Sequence, residues 1–251
     1  MMKYSKWMTL PLALSMLTTV TVSSNVLDGQ VSVFAQETAP DTHAETVLEE
    51  LKTLFPDEDF PTYLLMNDLP PYLAATTTTP SDQENFNVLF YAEDEAFSVN
   101  DQALNERTPI ASYSRTTYGS EDEAIHAVNQ MIDLQGEEVD LGYGITGYYQ
   151  GAAGSTYLNW QEGNWGIVVK SNNIENEDPL PLAQAIVEHL EAVRLPAPSV
   201  AGQMTLKNTS GGASDENTII WQEGNVVYEV THFDPLQAVK MTGSISEPTE
   251  Q

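Results

Sequence analysis

The chain has 251 residues, with 37 Asp and Glu against 9 Lys and Arg, a net charge of −28, and no cysteine. Such an acidic surface repels nucleic-acid phosphates and anionic lipid headgroups, so neither is expected as a partner. The lack of cysteine excludes disulfides, thiol catalysis and a lipid-modified N-terminal cysteine, and leaves burial of a sizeable core as the source of stability.

Lys3 and Lys6 precede the apolar run "MTLPLALSMLTTVTV", and Val33 and Ala35 satisfy the small-residue rule for signal peptidase. Residues 1–35 therefore read as a cleavable secretory signal. The run is shorter than the roughly 20 residues that span a bilayer. The expected product is extracytoplasmic and bacterial, with no membrane attachment after cleavage. Removing Lys3, Lys6 and Asp28 with the signal leaves 36 acidic and 7 basic residues, a net charge of −29.

Residues 36–80 read as an N-terminal helical arm and linker. In "DTHAETVLEELKTLF", Val47, Leu51, Leu54 and Phe55 fall at helical spacing, Thr42 and Glu45 form a capping box, and Pro56 stops the helix. "ATTTTPSDQ" (residues 75–83) has the composition of a linker. The Asp57-Glu58-Asp59 cluster raises calcium binding, but no Asp-x-Asp-x-Asp-Gly loop accompanies it, and a solvated surface is the preferred reading.

Residues 81–198 are expected to form a first α+β unit. "FNVLFYA" and "IASYSRTTY" are strand-like, and Ser120 with Glu123 caps a helix whose Ile125, Val128, Met131 and Ile132 share a face. A glycine-punctuated meander follows, containing "YLNWQEGNWGIVV". Asp178-Pro179-Leu180 then opens a helix with Leu182, Ile186, Leu190 and Val193 inward. Residues 199–247 form a second, shorter unit. There Trp-Gln-Glu-Gly-Asn returns 61 positions later, in "TIIWQEGNVVYEV", and Asp234-Pro235-Leu236 opens a last helix. The fold class is accordingly α+β: an antiparallel sheet from two imperfect β-β-α units, with helices packed on one face.

The pentad requires Gly163 and Gly224 at positive φ. Two registers fit: a three-residue loop with Trp160 facing Asn164, or a Glu162-Gly163 loop with Trp160 facing Trp165 and Trp221 facing Val226. The structural role of the pentad is a core-anchored hairpin. A functional role would be a ligand platform made by Tyr148, Tyr149, Tyr157, Trp160 and Trp165, which could stack on a sugar.

"GYGITG" (residues 142–147) matches Gly-x-Gly-x-x-Gly but precedes strand-like sequence, not the helix that a dinucleotide site needs. There is no Gly-x-Ser-x-Gly, His-Glu-x-x-His or phosphate-binding loop, and His43, His126, His189 and His232 show no ligand spacing. No catalytic residue, cofactor or metal is expected, although a chain this acidic offers many carboxylate pairs of the kind used by glycosidases.

From about Asp140 to Ile245 the two pentads and the "DPLQAVKMTGSI" helix resemble the extracytoplasmic domains of unknown function found in exported bacterial proteins. Similar domains occur at the outer ends of some anti-sigma and sporulation membrane proteins. They share a Trp-x-Glu-Gly-x-x-Tyr hairpin followed by a short helix, and the resemblance implies no catalytic residues. A secreted, non-enzymatic binding or interaction module of the envelope is the leading expectation, with a glycan or an envelope protein as partner. A glycan-binding or glycan-active protein and an extracytoplasmic sensor domain are the alternatives.

Overall fold

The computed structural model describes residues 39–78, 84–208 and 213–245. The expected signal at residues 1–35 lies outside them, as do residues 36–38, most of the expected linker beyond Thr78, and residues 246–247. Among the described residues, apolar residues alternating along short runs give ten strands, which join in one sheet. They are β1 (Tyr72–Thr77), β2 (Phe86–Glu93), β3 (Ala111–Thr117), β4 (Glu137–Gly142), β5 (Ile145–Ala152), β6 (Ser155–Glu162), β7 (Trp165–Asn172), β8 (Gly202–Lys207), β9 (Asn217–Glu223) and β10 (Val226–His232). Their order is β1-β2-β3-β10-β9-β8-β7-β6-β5-β4, and only the β7–β8 pair is parallel. Four α-helices occur among the described residues: α1 (Pro40–Leu54), α2 (Glu121–Val128), α3 (Leu180–Ala192) and α4 (Pro235–Gly243). None is long and apolar enough to cross a membrane.

The chain lays down β1, β2 and β3 at one edge, crosses to the far edge after α2, and returns through β4 to β7. Helix α3 carries it to β8, parallel to β7, and the last hairpin fills the gap between β8 and β3. The strands on either side of the expected boundary at residue 198 belong to one sheet, because β8 pairs with β7 and β10 with β3. The expected arm likewise contributes β1, paired with β2 from Tyr72 to Thr77. Composition hid this strand, since Ala and Thr read as linker until a partner supplies the ladder.

One face of the sheet carries the main core. Val88, Tyr113, Trp160, Ile167, Met204, Trp221 and Val230 are buried there beneath α1, α3 and α4. The expectation that all helices share this face is corrected by α2. Its Ala124 and Val128 pack on Val227, whose strand parity is opposite to that of Tyr228, and on Ala201 just before β8. A second apolar patch on the back of the sheet thus recruits its own short helix.

The caps follow the expected chemistry in part. Ser120 Oγ accepts from the Glu123 amide, while Glu123 accepts from the Gly119 amide; Asp234 Oδ1 accepts from the Gln237 amide. At α1 the expected Thr42 box does not form. The helix starts earlier, at Pro40, whose fixed φ suits the first helical position. Helix α2 is also shorter than expected, because Asn129 ends it in the left-handed conformation and leaves Met131 66% exposed.

Candidate functional site

Both pentads form two-residue hairpins, in a register different from either expected. The last ladder pairs are Glu162–Trp165 and Glu223–Val226, so the loops are Gly163-Asn164 and Gly224-Asn225. Only the glycines have positive φ, +57° and +60°, as a type II′ turn requires at its first central residue. Trp160 consequently faces Ile167, and Trp221 faces Tyr228.

Each pentad side chain then has a local role, repeated in both copies. The Trp160 and Trp221 indole N–H groups donate to Glu162 and Glu223 Oε1, at 2.8 and 2.9 Å. Gln161 and Gln222 Nε2 donate to the turn carbonyls of Gly163 and Gly224, at 3.0 and 2.6 Å. The asparagines bind passing chain: Asn164 Nδ2 donates to Pro198 O and Asn225 Nδ2 to Tyr118 O, while their carbonyls accept from the Gly202 and Tyr118 amides. The tryptophans are almost fully buried, so each turn is nailed to the core by an indole whose polar edge is satisfied. Burial raises the Glu162 pKa, and the Trp160 hydrogen bond partly offsets this.

The strand register divides the five candidate platform residues between the two faces. Trp160 and Trp165 are buried in the main core. Tyr149 packs against the edge of that core, and its hydroxyl donates to Asp178, which also accepts from the Leu180 amide. Burial and the Asp178 charge push the Tyr149 pKa up to about 12. Tyr148, opposite Asn159, and Tyr157, opposite Gln150, point to the back. The five do not make one aromatic surface; alternation along β5 and β6 separates them.

The back of the sheet carries a feature that residue types alone did not mark. After α2 the chain crosses β8 and β7 as a strap, held by three glutamines. Gln130 Nε2 donates to the Asn164 and Gly202 carbonyls, at 2.8 and 2.7 Å. Gln203 Oε1 accepts from the Met131 amide at 3.0 Å, and Gln150 Nε2 donates to the Asp133 and Gln135 carbonyls. Between this strap and strands β5 to β8 lies a groove of about 580 Å³, with Met131, Ile132, Tyr157, Asn159, Val168 and Thr205 around it. Asn159 is 5% exposed, yet its Nδ2 has no hydrogen-bond partner. The Lys170 ammonium lies 5.8 Å from the centre of the Tyr157 ring. Sequence reasoning named Tyr157 but missed Asn159 and the glutamines, whose role depends on the crossing strap.

A second concavity, about 360 Å³, is lined by Asp57, Glu58, Asp59, Tyr113, Glu223 and Tyr228. Two of these carboxylates already have cationic partners: Glu58 pairs with Arg115 at 3.0 Å and Asp59 with Lys52 at 3.1 Å. Burial raises the Glu58 pKa, and the Arg115 guanidinium opposes the shift. Among the described residues no three His, Cys, Asp or Glu side chains are placed to hold a metal ion. The Gly142–Gly147 stretch forms the β4–β5 hairpin through Tyr143-Gly144, with strand rather than helix after it. No protein-family model matches this chain, and neither does any curated protein or solved structure compared with it.

Proposed function

We propose that the mature chain is a secreted, non-enzymatic binding module of the bacterial envelope, with the groove on the back of the sheet as its ligand site. One observation carries the assignment of the site. Asn159 Nδ2 is buried at the groove without a partner, whereas buried polar groups in folded proteins are nearly always hydrogen-bonded. Ligand sites share this form: concave, largely apolar, with a few convergent polar groups. The signal-like residues 1–35 support export, and the absence of known catalytic motifs supports binding over turnover. The bond-for-bond match of the two pentad hairpins supports an internal duplication of a β-β-α unit. In that reading the pentads are scaffold, and the site arises where the strap crosses.

The chain has no cysteine, so Thr205→Cys places a single thiol at the exposed rim of the groove. Residues 36–251 should co-sediment with purified bacterial cell wall, and unlabelled Thr205→Cys is the reference against which its labelled form is read. The same variant carrying a bulky maleimide should not co-sediment. Absence of wall binding by the unmodified protein would overturn the envelope reading, and binding that survives the label would move the site elsewhere. Release of soluble wall fragments would overturn the non-enzymatic reading.

A further inference from the structure

We infer that the occupant of this groove is a neutral saccharide, its ring stacked on Tyr157 and one of its oxygens accepting a hydrogen bond from Asn159 Nδ2; this rests on the binding-module reading above. The first ground is charge. The chain carries −28, yet the only ionisable carboxylate lining the groove is Asp133. An anion would be repelled by the molecule as a whole, and the lining offers a cation one carboxylate, so the lining itself recognises through uncharged groups, with the Lys170 ammonium over the Tyr157 ring. The second ground is the mixture of surfaces. Met131, Ile132 and Val168 supply apolar area beside amide and hydroxyl groups, matching a sugar ring with its C–H faces and its hydroxyl rim.

The third ground is the hydrogen-bond accounting. Gln130, Gln150 and Gln203 lie at the same groove, but Gln130 spends its amide on the Asn164 and Gly202 carbonyls, Gln150 on the strap, and Gln203 on the strap and on Met204, so they fix its wall. Among the described residues, Asn159 is the buried side chain there left with an unused donor. A hydroxyl or acetamido carbonyl satisfies it. Tyr157 lies two residues before Asn159 on β6, hence on the same face, and directly across from Lys170. The ammonium lies over one face of the ring and leaves the other to a sugar, and among the described residues no carboxylate lies within ion-pair distance of Lys170 to draw it away. A volume of about 580 Å³ falls in the range of small-molecule sites and admits a short oligosaccharide.

The test is calorimetric titration of residues 36–251 with four neutral tetrasaccharides: β-1,4-linked N-acetylglucosamine, cello-, xylo- and malto-oligomers. At least one should bind. Asn159→Leu, which keeps volume and removes the amide, should weaken it about tenfold, the scale of one hydrogen bond. Tyr157→Ala should weaken it by a similar factor, and Tyr157→Phe, which keeps the ring, by less than about threefold. Thermal melts of each variant separate lost binding from lost folding. The maleimide-blocked Thr205→Cys protein should bind none of the four. If no tetrasaccharide binds while the blocking label still abolishes wall binding, the saccharide assignment falls and the binding-module reading stands. Saccharide binding unchanged in Asn159→Leu and in the blocked protein would overturn this groove as the saccharide site.

Discussion

His232 shows how one residue can set the acid limit of this fold. It is 1% exposed at the end of β10; its Nδ1 accepts from the Asp234 amide at 2.9 Å, and its Nε2 has no partner. Burial lowers its pKa from 6.5 to about 4, against the opposing pull of Asp234. The unfolded chain therefore binds this proton more readily than the folded one, and stability that is complete above pH 6.5 drains as pH falls towards 4. At about 1.4 kcal/mol per pKa unit, the loss over that window is about 3 kcal/mol. Glu58, Glu162 and Glu229, whose pKa values are raised mainly by burial, act oppositely: they favour the folded state in acid and withdraw that support as pH rises through their folded values. His232→Asn isolates the histidine. The stability difference between wild type and variant should shrink by about 3 kcal/mol from pH 7 to pH 4 in urea titrations. A pH-independent difference would show that the imidazole is not held neutral.

At the scale of elements, the two hairpins make a matched pair. Gly163 and Gly224 have open space where a Cβ would go, so any cost of substitution there is backbone strain alone. Gly163→Val and Gly224→Val should each destabilise by about 1–3 kcal/mol, because a β-branched residue is forced to positive φ. Denaturation midpoints read this directly, and two unchanged midpoints would contradict the turn geometry. The parallel losses also follow from shared design, since each turn is closed by the same indole–carboxylate and amide–carbonyl bonds. The far edge is managed differently. β4 presents Glu137, Glu138 and Asp140, and charge along an exposed strand opposes edge-to-edge association.

For the whole molecule, charge is the dominant global term. The net charge of −28 makes the folded chain repel itself, and salt shortens the Debye length from roughly 30 Å at 0.01 M to about 3 Å at 1 M. Melting temperature should climb with sodium chloride across that range. Once screening is complete, millimolar calcium and magnesium should have nearly equal effects. A stabilisation of several degrees by calcium alone would reveal a specific site, since ligand linkage grows with the logarithm of concentration beyond the dissociation constant. The structure makes the Asp57-Glu58-Asp59 cluster the place to examine in that case, although Arg115 and Lys52 already occupy two of its carboxylates.

Much that is local was legible in the amino acids. Ser120 and Asp234 announced their helices because a short oxygen-bearing side chain satisfies an end amide without tertiary help. Gly163 and Gly224 announced turns because positive φ is a single-residue property. Alternating apolar runs were enough for an α+β class. What the chain could not state by itself is which strands meet. Register came from pairing, and with it the face each aromatic takes: Trp160 inward, Tyr157 outward, on one strand three residues apart. The strand at Tyr72–Thr77 exists only because β2 lies beside it, and α2 sits on the back only because Val227 and Ala201 meet there. Asn159 is unremarkable in sequence; the strap crossing β7 and β8, which begins at Gln130, makes it a buried donor at a groove. Local chemistry acts within a few residues and can be read along the chain, whereas burial and hydrogen-bond satisfaction depend on partners that only the assembled sheet brings together.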